Sequence, residues 1–114
     1  MAAPAGADYS AAGSSTVFND VLVSTMGHVG DRNLHPILVF DSTDLAETRR
    51  TKAAFTEFVE LALSLGGTMA AEHGVGTLKR AFLSDELDPV QLATQRRIRD
   101  ALDPAGRLNP GKAL

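Results

Sequence analysis

The sequence predicts an α+β domain with a partly antiparallel sheet and a C-terminal helix. Two observations lead to this class. Apolar, β-branched runs at residues 17–26 and 37–40 precede a long amphipathic segment, and a second helical segment follows residue 88. The predicted order is strand, strand, helix, strand, helix, in which strands and helices do not strictly alternate. We expect one small domain over residues 17–114.

The N-terminal half contains two predicted strands and the segment between them. Residues 17–26 are rich in valine and leucine, as in a β-strand, and stop at Gly27. Residues 27–36 are dense in glycine and polar side chains, which indicates a loop, and residues 37–40 form a short apolar run typical of a buried strand. Residues 1–16 lack the basic start and apolar centre of a signal peptide, so we expect a disordered tail there.

A long helix is predicted after Asp44. This residue can cap the helix, and Glu47 stands three positions later as a capping-box partner. Apolar residues then recur at spacings of three and four, the stripe of an amphipathic helix. They are Phe55, Phe58, Val59, Ala62 and Leu65. Gly66 and Gly67 are expected to end the helix, because glycine readily takes the left-handed conformation found at helix ends.

The second half contains a predicted short strand at residues 68–71 and a turn or short helix at residues 78–83. A last helix is predicted to begin after Asp88, with Pro89 in the first turn, where a missing N–H group costs little. It runs to about Leu102. Its predicted inner face is Ala93, Ile98, Ala101 and Leu102.

The composition excludes several classes of protein. A net charge of −3 and a pI near 5.5 argue against nucleic-acid binding, and the three arginines at 96, 97 and 99 spread over the solvent face of a helix. The sequence has no cysteine, so disulfides and thiolate metal sites are excluded. The absence of cysteine fits a reducing compartment, and we expect the protein in the cytoplasm or at the periphery of a membrane. No apolar run approaches the roughly 18 to 20 residues that a membrane-spanning helix needs.

All three histidines lie in glycine-rich segments beside predicted strands. His28 and His35 bracket the first segment, and Glu72 and His73 lie in the second. In a continuous strand the spacing of seven would place His28 and His35 on opposite faces, but a turn at Gly30 can bring both imidazoles to one point. Two histidines and a carboxylate are common Zn²⁺ ligands. From the residues alone, a metal site and ordinary hydrogen-bonded loop histidines stand as equal alternatives.

Three segments resemble, in order, C-terminal motifs of FAD-linked oxidases related to vanillyl-alcohol oxidase. Residues 28–36, HVGDRNLHP, are similar to the H-x-G-D-G-N-x-H-P loop of these enzymes. Residues 71–80, AEHGVGTLKR, resemble their G-E-H-G-I-G-x-x-K-R segment, and residues 102–112, LDPAGRLNPGK, resemble L-D-P-x-G-x-L-N-P-G-K. The resemblance is to the group of glycolate oxidase flavin subunits, D-lactate dehydrogenases and D-2-hydroxyglutarate dehydrogenases.

The resemblance implies a fragment of a ferredoxin-like cap domain, followed by a segment that packs on a flavin domain. It also implies roles for matching residues. These are His28, His35 and Glu72 as ligands of Zn²⁺ or another divalent metal, His73 as the catalytic general base, Asn33 in the substrate site and Asn109 near the flavin. Lys79 matches a lysine to which we assign no role. Arg32 and Ala71 replace usual glycines, and Arg32 would cost about 1 kcal/mol if its φ were positive.

The activity implied by the resemblance is the FAD-dependent oxidation of a 2-hydroxy acid to a 2-oxo acid. The flavin-binding domain of the family has no counterpart in this chain, nor do the cap arginines that hold a carboxylate. We therefore expect the isolated chain to be inactive, to need an FAD-binding domain or subunit, and to self-associate through surface that such a domain covers. Two alternatives remain: a non-catalytic metal-binding or interaction module, and an inactive truncated fragment.

Overall fold

The computed structural model describes residues 15–114. These residues belong to two compact units, one ending at Thr68 and the other running Met69–Leu114. The predicted disordered tail falls outside the described residues, apart from its last two positions, which begin the first strand. Within the described part, no helix has both the length and the apolar character needed to cross a bilayer.

The first unit contains a three-stranded antiparallel sheet and one long helix. The strands are β1 (Ser15–Phe18), β2 (Val21–His28) and β3 (Asn33–Val39), paired in the order β1-β2-β3. Helix α1 (Leu45–Ser64) follows them. The α+β class, the antiparallel sheet and the helix near the C-terminus are thus confirmed.

The predicted strand at residues 17–26 is in fact two strands joined by a tight hairpin. Phe18 pairs with Val21, which leaves Asn19 and Asp20 as a two-residue turn. Both turn residues have positive φ, 51° and 58°. This is the conformation of a type I′ turn, whose twist matches that of the flanking strands, and Asn and Asp tolerate it better than other non-glycine residues.

The predicted loop at residues 27–36 is mostly strand, so that prediction was wrong. β2 continues to His28, a single 3₁₀ turn spans Val29–Asp31, and β3 starts at Asn33. Glycine and proline gave the loop signal, yet both are accommodated within the sheet. Gly27 lies where the strands approach closely, and Pro36 lies in β3, an outer strand of the described sheet, where proline is tolerated.

Helix α1 begins and ends close to the predicted residues. The carboxylate of Asp44 accepts hydrogen bonds from the N–H groups of Ala46 and Glu47, at 2.7 and 3.2 Å. The predicted capping box is only half formed, because the Glu47 carboxylate accepts from the N–H of Asp41 at 2.6 Å instead of from Asp44. Gly66 follows the helix with a φ of +75°, as expected at a helix end.

The core of the first unit lies between α1 and one face of the sheet. Val21, Val23 and Ala54 are buried at its centre, surrounded by Phe18, Leu38 and Phe58. Along α1 the predicted stripe is buried or half-buried, except that Leu65 is exposed. Side chains alternate along a strand. Since Val21 and Val23 face the core, the even-numbered residues of β2, which include His28, lie on the opposite face.

The second unit is mainly turns and short helices. The predicted strand at residues 68–71 does not form: Thr68 makes only an isolated bridge, and the N–H of Met69 donates to the Glu86 carboxylate at 3.0 Å. The predicted turn or short helix at residues 78–83 is confirmed as a 3₁₀ turn at Arg80–Phe82 that leads into helix α2 (Leu83–Glu86).

The last helix, α3 (Pro89–Leu102), carries the caps that the sequence predicted. Asp88 accepts from the N–H groups of Val90 and Gln91, and the Gln91 side chain accepts from the N–H of Asp88, which completes a capping box. No residue of α3 is buried. Its predicted inner face is exposed, with Ile98 at 57% and Leu102 at 78%.

Candidate functional site

The two histidines of the first unit lie side by side on one face of the sheet. His28 pairs with Asn33 across β2 and β3, and Met26 pairs with His35. Cross-strand partners project to the same face, so His28, Asn33 and His35 share the face opposite the core. The ring centroids of His28 and His35 are 5.4 Å apart and the ring planes are nearly perpendicular, at 89°. The turn therefore brings both imidazoles together, as the sequence predicts.

The spacing of the imidazoles fits two ligands of one divalent ion. With Zn–N distances of about 2.0–2.1 Å and tetrahedral angles, two imidazole centroids lie roughly 5 Å apart. The observed 5.4 Å is close to that value. His28 is exposed and His35 is half-buried, so an ion can reach the pair from solvent.

Asn33 adds a polar group that lacks a partner on this face. The residue is only 8% exposed, and its Oδ1 makes no hydrogen bond among the described residues. Leaving such an acceptor buried and unpaired costs about 1–3 kcal/mol, and buried polar groups in native proteins are nearly always satisfied by protein, water or ligand. Asn33 therefore offers an unused acceptor directly across from His28.

The turn between the histidines contains the substituted glycine position. Arg32 has φ 57° and ψ 29°, the left-handed conformation, and its N–H donates to the Val29 carbonyl at 3.0 Å. A non-glycine residue in this conformation costs about 1 kcal/mol or more. The strain that the sequence predicts for this position is therefore present, and the hairpin keeps its register beside it.

Glu72 and His73 lie next to each other in the second unit. Oε1 of Glu72 is 3.5 Å from Nε2 of His73, and the two side chains are 45% and 69% exposed. Gly74 and Gly76 follow with φ values of 65° and 57°. No described atom lies within 4 Å of a Cβ built on either glycine, so these glycines serve the bend of the backbone rather than close packing.

Lys79 lies near the end of the segment at residues 71–80. Its N–H donates to the Val75 carbonyl at 3.2 Å. Partial burial lowers the pKa of the Lys79 ammonium group below its usual value, and the nearby Glu86 carboxylate acts in the opposite direction. A half-buried cation is thus built into the second segment.

Asn109 lies in the turn-rich tail of the second unit. It lines a cavity of about 520 Å³ beside the end of α3, together with basic side chains that include Arg80 and Lys112. The cavity is organised by Asp103, whose carboxylate accepts from the N–H groups of Leu108 and Arg107 at 2.7 and 3.0 Å. These two hydrogen bonds to Asp103 were not predicted from the sequence, although an Asp-Pro-x-Gly run is a recognisable turn signal.

Comparison with known proteins identifies the family of the chain. Residues 7–113 match the family model described as FAD linked oxidases, C-terminal domain. The chain is 41% identical over 93 residues to the glycolate oxidase subunit GlcD of Bacillus subtilis, which covers 82% of this chain and 20% of that protein. It is 36% identical over 98 residues to a probable mitochondrial D-lactate dehydrogenase of Danio rerio, with 86% and 20% covered.

A third relative matches the chain over a similar length. The mitochondrial D-lactate dehydrogenase [cytochrome] of Arabidopsis thaliana is 38% identical over 96 residues, which is 84% of this chain and 17% of that protein. The chain thus spans about a fifth of the length of the curated relatives that it matches. With the family model matched over nearly the whole sequence, the chain belongs to the C-terminal domain family of the FAD-linked oxidases.

Proposed function

We propose that this chain forms the metal- and substrate-binding part of an FAD-dependent 2-hydroxy-acid dehydrogenase, which oxidises a 2-hydroxy acid to a 2-oxo acid. The observation that carries this proposal is the pairing of His28 and His35 beside the unpartnered Oδ1 atom of Asn33 on one sheet face. Family membership supports the flavin chemistry, and two relatives carry the names glycolate oxidase subunit and D-lactate dehydrogenase.

His28 and His35 would hold the metal, with Glu72 assigned as the third ligand from the sequence resemblance. Neutral imidazoles and a carboxylate suit Zn²⁺ or a similar divalent ion. A metal held by these residues would supply Lewis-acid chemistry that makes the hydroxyl of a 2-hydroxy acid more acidic. A flavin held by its own domain would supply the hydride acceptor.

Residues of this chain would accept the hydroxyl proton of the substrate and orient the substrate. In this proposal the imidazole of His73, which lies beside Glu72, accepts the hydroxyl proton as general base. Asn33 would line the substrate site, where a hydrogen-bond donor placed at its Oδ1 would remove the cost of its unpaired burial. Asn109, in the tail of the second unit, contributes to the flavin side of the site.

The partner of this chain in the proposal is an FAD-binding domain or subunit. Helix α3 and the tail beyond it expose large apolar side chains that such a domain would cover. They are Val90, Ile98, Leu102 and Leu108. Without that partner the same surface would drive self-association. We place the enzyme in the cytoplasm or at a membrane surface.

The test is a chimera in which this chain replaces the matching 93 residues of the Bacillus subtilis relative. The chimera should bind FAD, and glycolate or D-lactate should bleach its flavin in the absence of oxygen. A chimera that binds FAD and metal but is not reduced by any 2-hydroxy acid would overturn the dehydrogenase proposal.

A non-catalytic metal-binding or interaction module is the second candidate. The His28–His35 pair supports it too, since a metal held by this hairpin needs no flavin. Stoichiometric metal in an FAD-loaded but unreactive chimera would favour this module.

A further inference from the structure

We propose that the tail at residues 109–114 is a positioning element for the segment that carries Glu72 and His73. The N–H of Ala113 donates to the carbonyl of Gly76 at 2.8 Å. In addition, Nη1 of Arg80 donates to the carbonyl of Gly111 at 3.4 Å. All of these groups lie in the second unit. The tail is thus hydrogen-bonded to Gly76 and to Arg80, the two ends of the turn that follows His73.

Two backbone hydrogen bonds of the described residues lie within the segment around His73, and both are long. The N–H of Gly74 donates to the Ala71 carbonyl and that of Lys79 to the Val75 carbonyl, both at 3.2 Å, the long end of the normal range. Gly74 and Gly76 add backbone freedom, because glycine loses more conformational entropy on ordering than any other residue. The bond from Ala113, at 2.8 Å, is shorter than either internal bond and restrains the turn at Gly76.

The backbone of the tail is strained where it makes this bond. Asn109 and Ala113 have positive φ, at 46° and 57°, and Gly111, for which this is no strain, has φ 75°. For Ala113 this conformation costs about 1 kcal/mol or more, and such strain persists only where surrounding interactions determine the backbone. The hydrogen bond to Gly76 is the interaction that explains it.

The tail is itself fixed at its start. The Asp103 carboxylate accepts from the N–H groups of Arg107 and Leu108, and the N–H of Lys112 donates to the Asn109 carbonyl at 3.1 Å. A continuous series of bonds therefore runs from the end of α3 through the tail to Gly76. It holds the backbone three residues beyond His73, and through it the orientation of Glu72 and His73.

Two substitutions at one position test the anchored tail. Ala113→Pro removes the N–H donor and cannot adopt the positive φ of this position, whereas Ala113→Gly keeps the donor and suits the positive φ. We expect amide hydrogen exchange at Gly74 and Lys79 to be about tenfold faster in Ala113→Pro, as the loss of one hydrogen bond implies. Ala113→Gly should match the wild type. Equal exchange at both amides in the two variants would overturn the proposal.

A second measurement asks whether the restraint reaches Glu72, and it rests on the proposed role of Glu72 as a ligand. Zn²⁺ titrations on the full chain would be run for Glu72→Gln in the wild-type and Ala113→Pro backgrounds, as a double-mutant cycle. We expect Glu72→Gln to weaken Zn²⁺ about tenfold in the wild type and to have little effect in Ala113→Pro. The same tenfold loss in both backgrounds would overturn the positioning role.

The failure of the two proposals can be distinguished. If the wild-type chain binds no Zn²⁺, the proposed metal site is wrong, and the exchange rates at Gly74 and Lys79 alone decide the role of the tail. Arg80→Met and Arg80→Lys form a second pair for the case in which Ala113→Pro fails to fold. Arg80→Lys retains a donor for the Gly111 carbonyl and should preserve slow exchange, whereas faster exchange is expected in Arg80→Met, whose side chain has no donor. Equal exchange in both Arg80 variants would count against the tail.

Discussion

A Cβ atom on Gly27 would lie 2.9 Å from the Cα of Leu34, its partner across β2 and β3. The Asn33 carbonyl oxygen is closer still. Any side chain at Gly27 must therefore push the two strands apart. Because His28 and Asn33 are the next pair in register, this glycine sets the distance between the strands at the imidazole pair.

Gly27→Ala is accordingly expected to destabilise the chain by about 1–3 kcal/mol, the usual cost of overpacking. Gly30→Ala is the matched control. Its φ is not positive, and no described atom lies within 4 Å of the point that an alanine Cβ would occupy, so its effect should stay within about 0.5 kcal/mol. Urea denaturation of both variants would measure the difference. Equal stability of the two would contradict the close approach of β2 and β3.

Arg32→Gly should stabilise the chain by up to about 1 kcal/mol, because glycine adopts the left-handed conformation of this position without strain. Arg32→Ala is the control, since alanine carries the same strain and removes only the guanidinium. A rise in the urea midpoint for Arg32→Gly alone is the expected result. If Arg32→Ala stabilised equally, the charge rather than the backbone would be the cause.

Zn²⁺ affinity should depend on His35 and not on His73. Truncating one ligand is expected to weaken binding by at least about tenfold, so His35→Ala should bind Zn²⁺ much more weakly than the wild type in calorimetric titrations. His73→Ala should bind normally if this residue is the base rather than a ligand. Identical titration curves for the wild type and His35→Ala would refute the site.

In the flavin-loaded chimera, replacing His73 should lower activity without loss of metal, whereas replacing Glu72 should lower activity through loss of metal. His73→Ala removes the base, so the rate of flavin reduction should fall by about 10²- to 10⁴-fold while the metal stays bound. Glu72→Ala removes the proposed ligand, so activity should fall with metal content and partly recover in excess Zn²⁺. Anaerobic flavin bleaching and metal analysis on each variant measure both effects. A His73→Ala chimera reduced at the wild-type rate would require a different base.

The tail should loosen in acid as Asp103 is protonated. The hydrogen bonds from Leu108 and Arg107 lower the pKa of this carboxyl below its ordinary value of 3.8. The stability that it contributes is therefore fully present above 3.8 and is lost as the pH falls through the lower folded-state pKa. The amide NMR signals of Leu108 and Arg107 should shift with a midpoint below 3.8. Asp103→Asn should abolish that shift; its persistence would assign it to another carboxyl.

The helices could be predicted because their signals are local. Asp44 and Asp88 are caps whose hydrogen bonds reach only two or three residues ahead, and Gly66 ends α1 by its own conformation. The hairpins were harder to predict. Asn19 and Asp20 are weaker signals for a type I′ turn than a pair containing glycine, and Gly27 is in a strand only because Leu34 lies opposite.

Part of the candidate site could also be predicted. The approach of His28 to His35 follows from a turn near Gly30, which the sequence contains. The bond between Ala113 and Gly76 joins residues distant in sequence, and no local pattern encodes that bond or the burial of Asn33. The resemblance to a family assigned roles to residues but carried no information about these features.

The absence of buried residues in α3 has a consequence for how the chain responds to heat. A fourteen-residue helix with no buried side chain depends on its caps and intrinsic helix propensity, and isolated helices of that length are marginal in water. We therefore expect its unwinding to be gradual and separate from the cooperative melting of the β-hairpins with α1. Any protein surface that covers Ile98 and Leu102 would convert this gradual loss of helix into a single transition, so the shape of the melting curve reports whether α3 has found its binding surface.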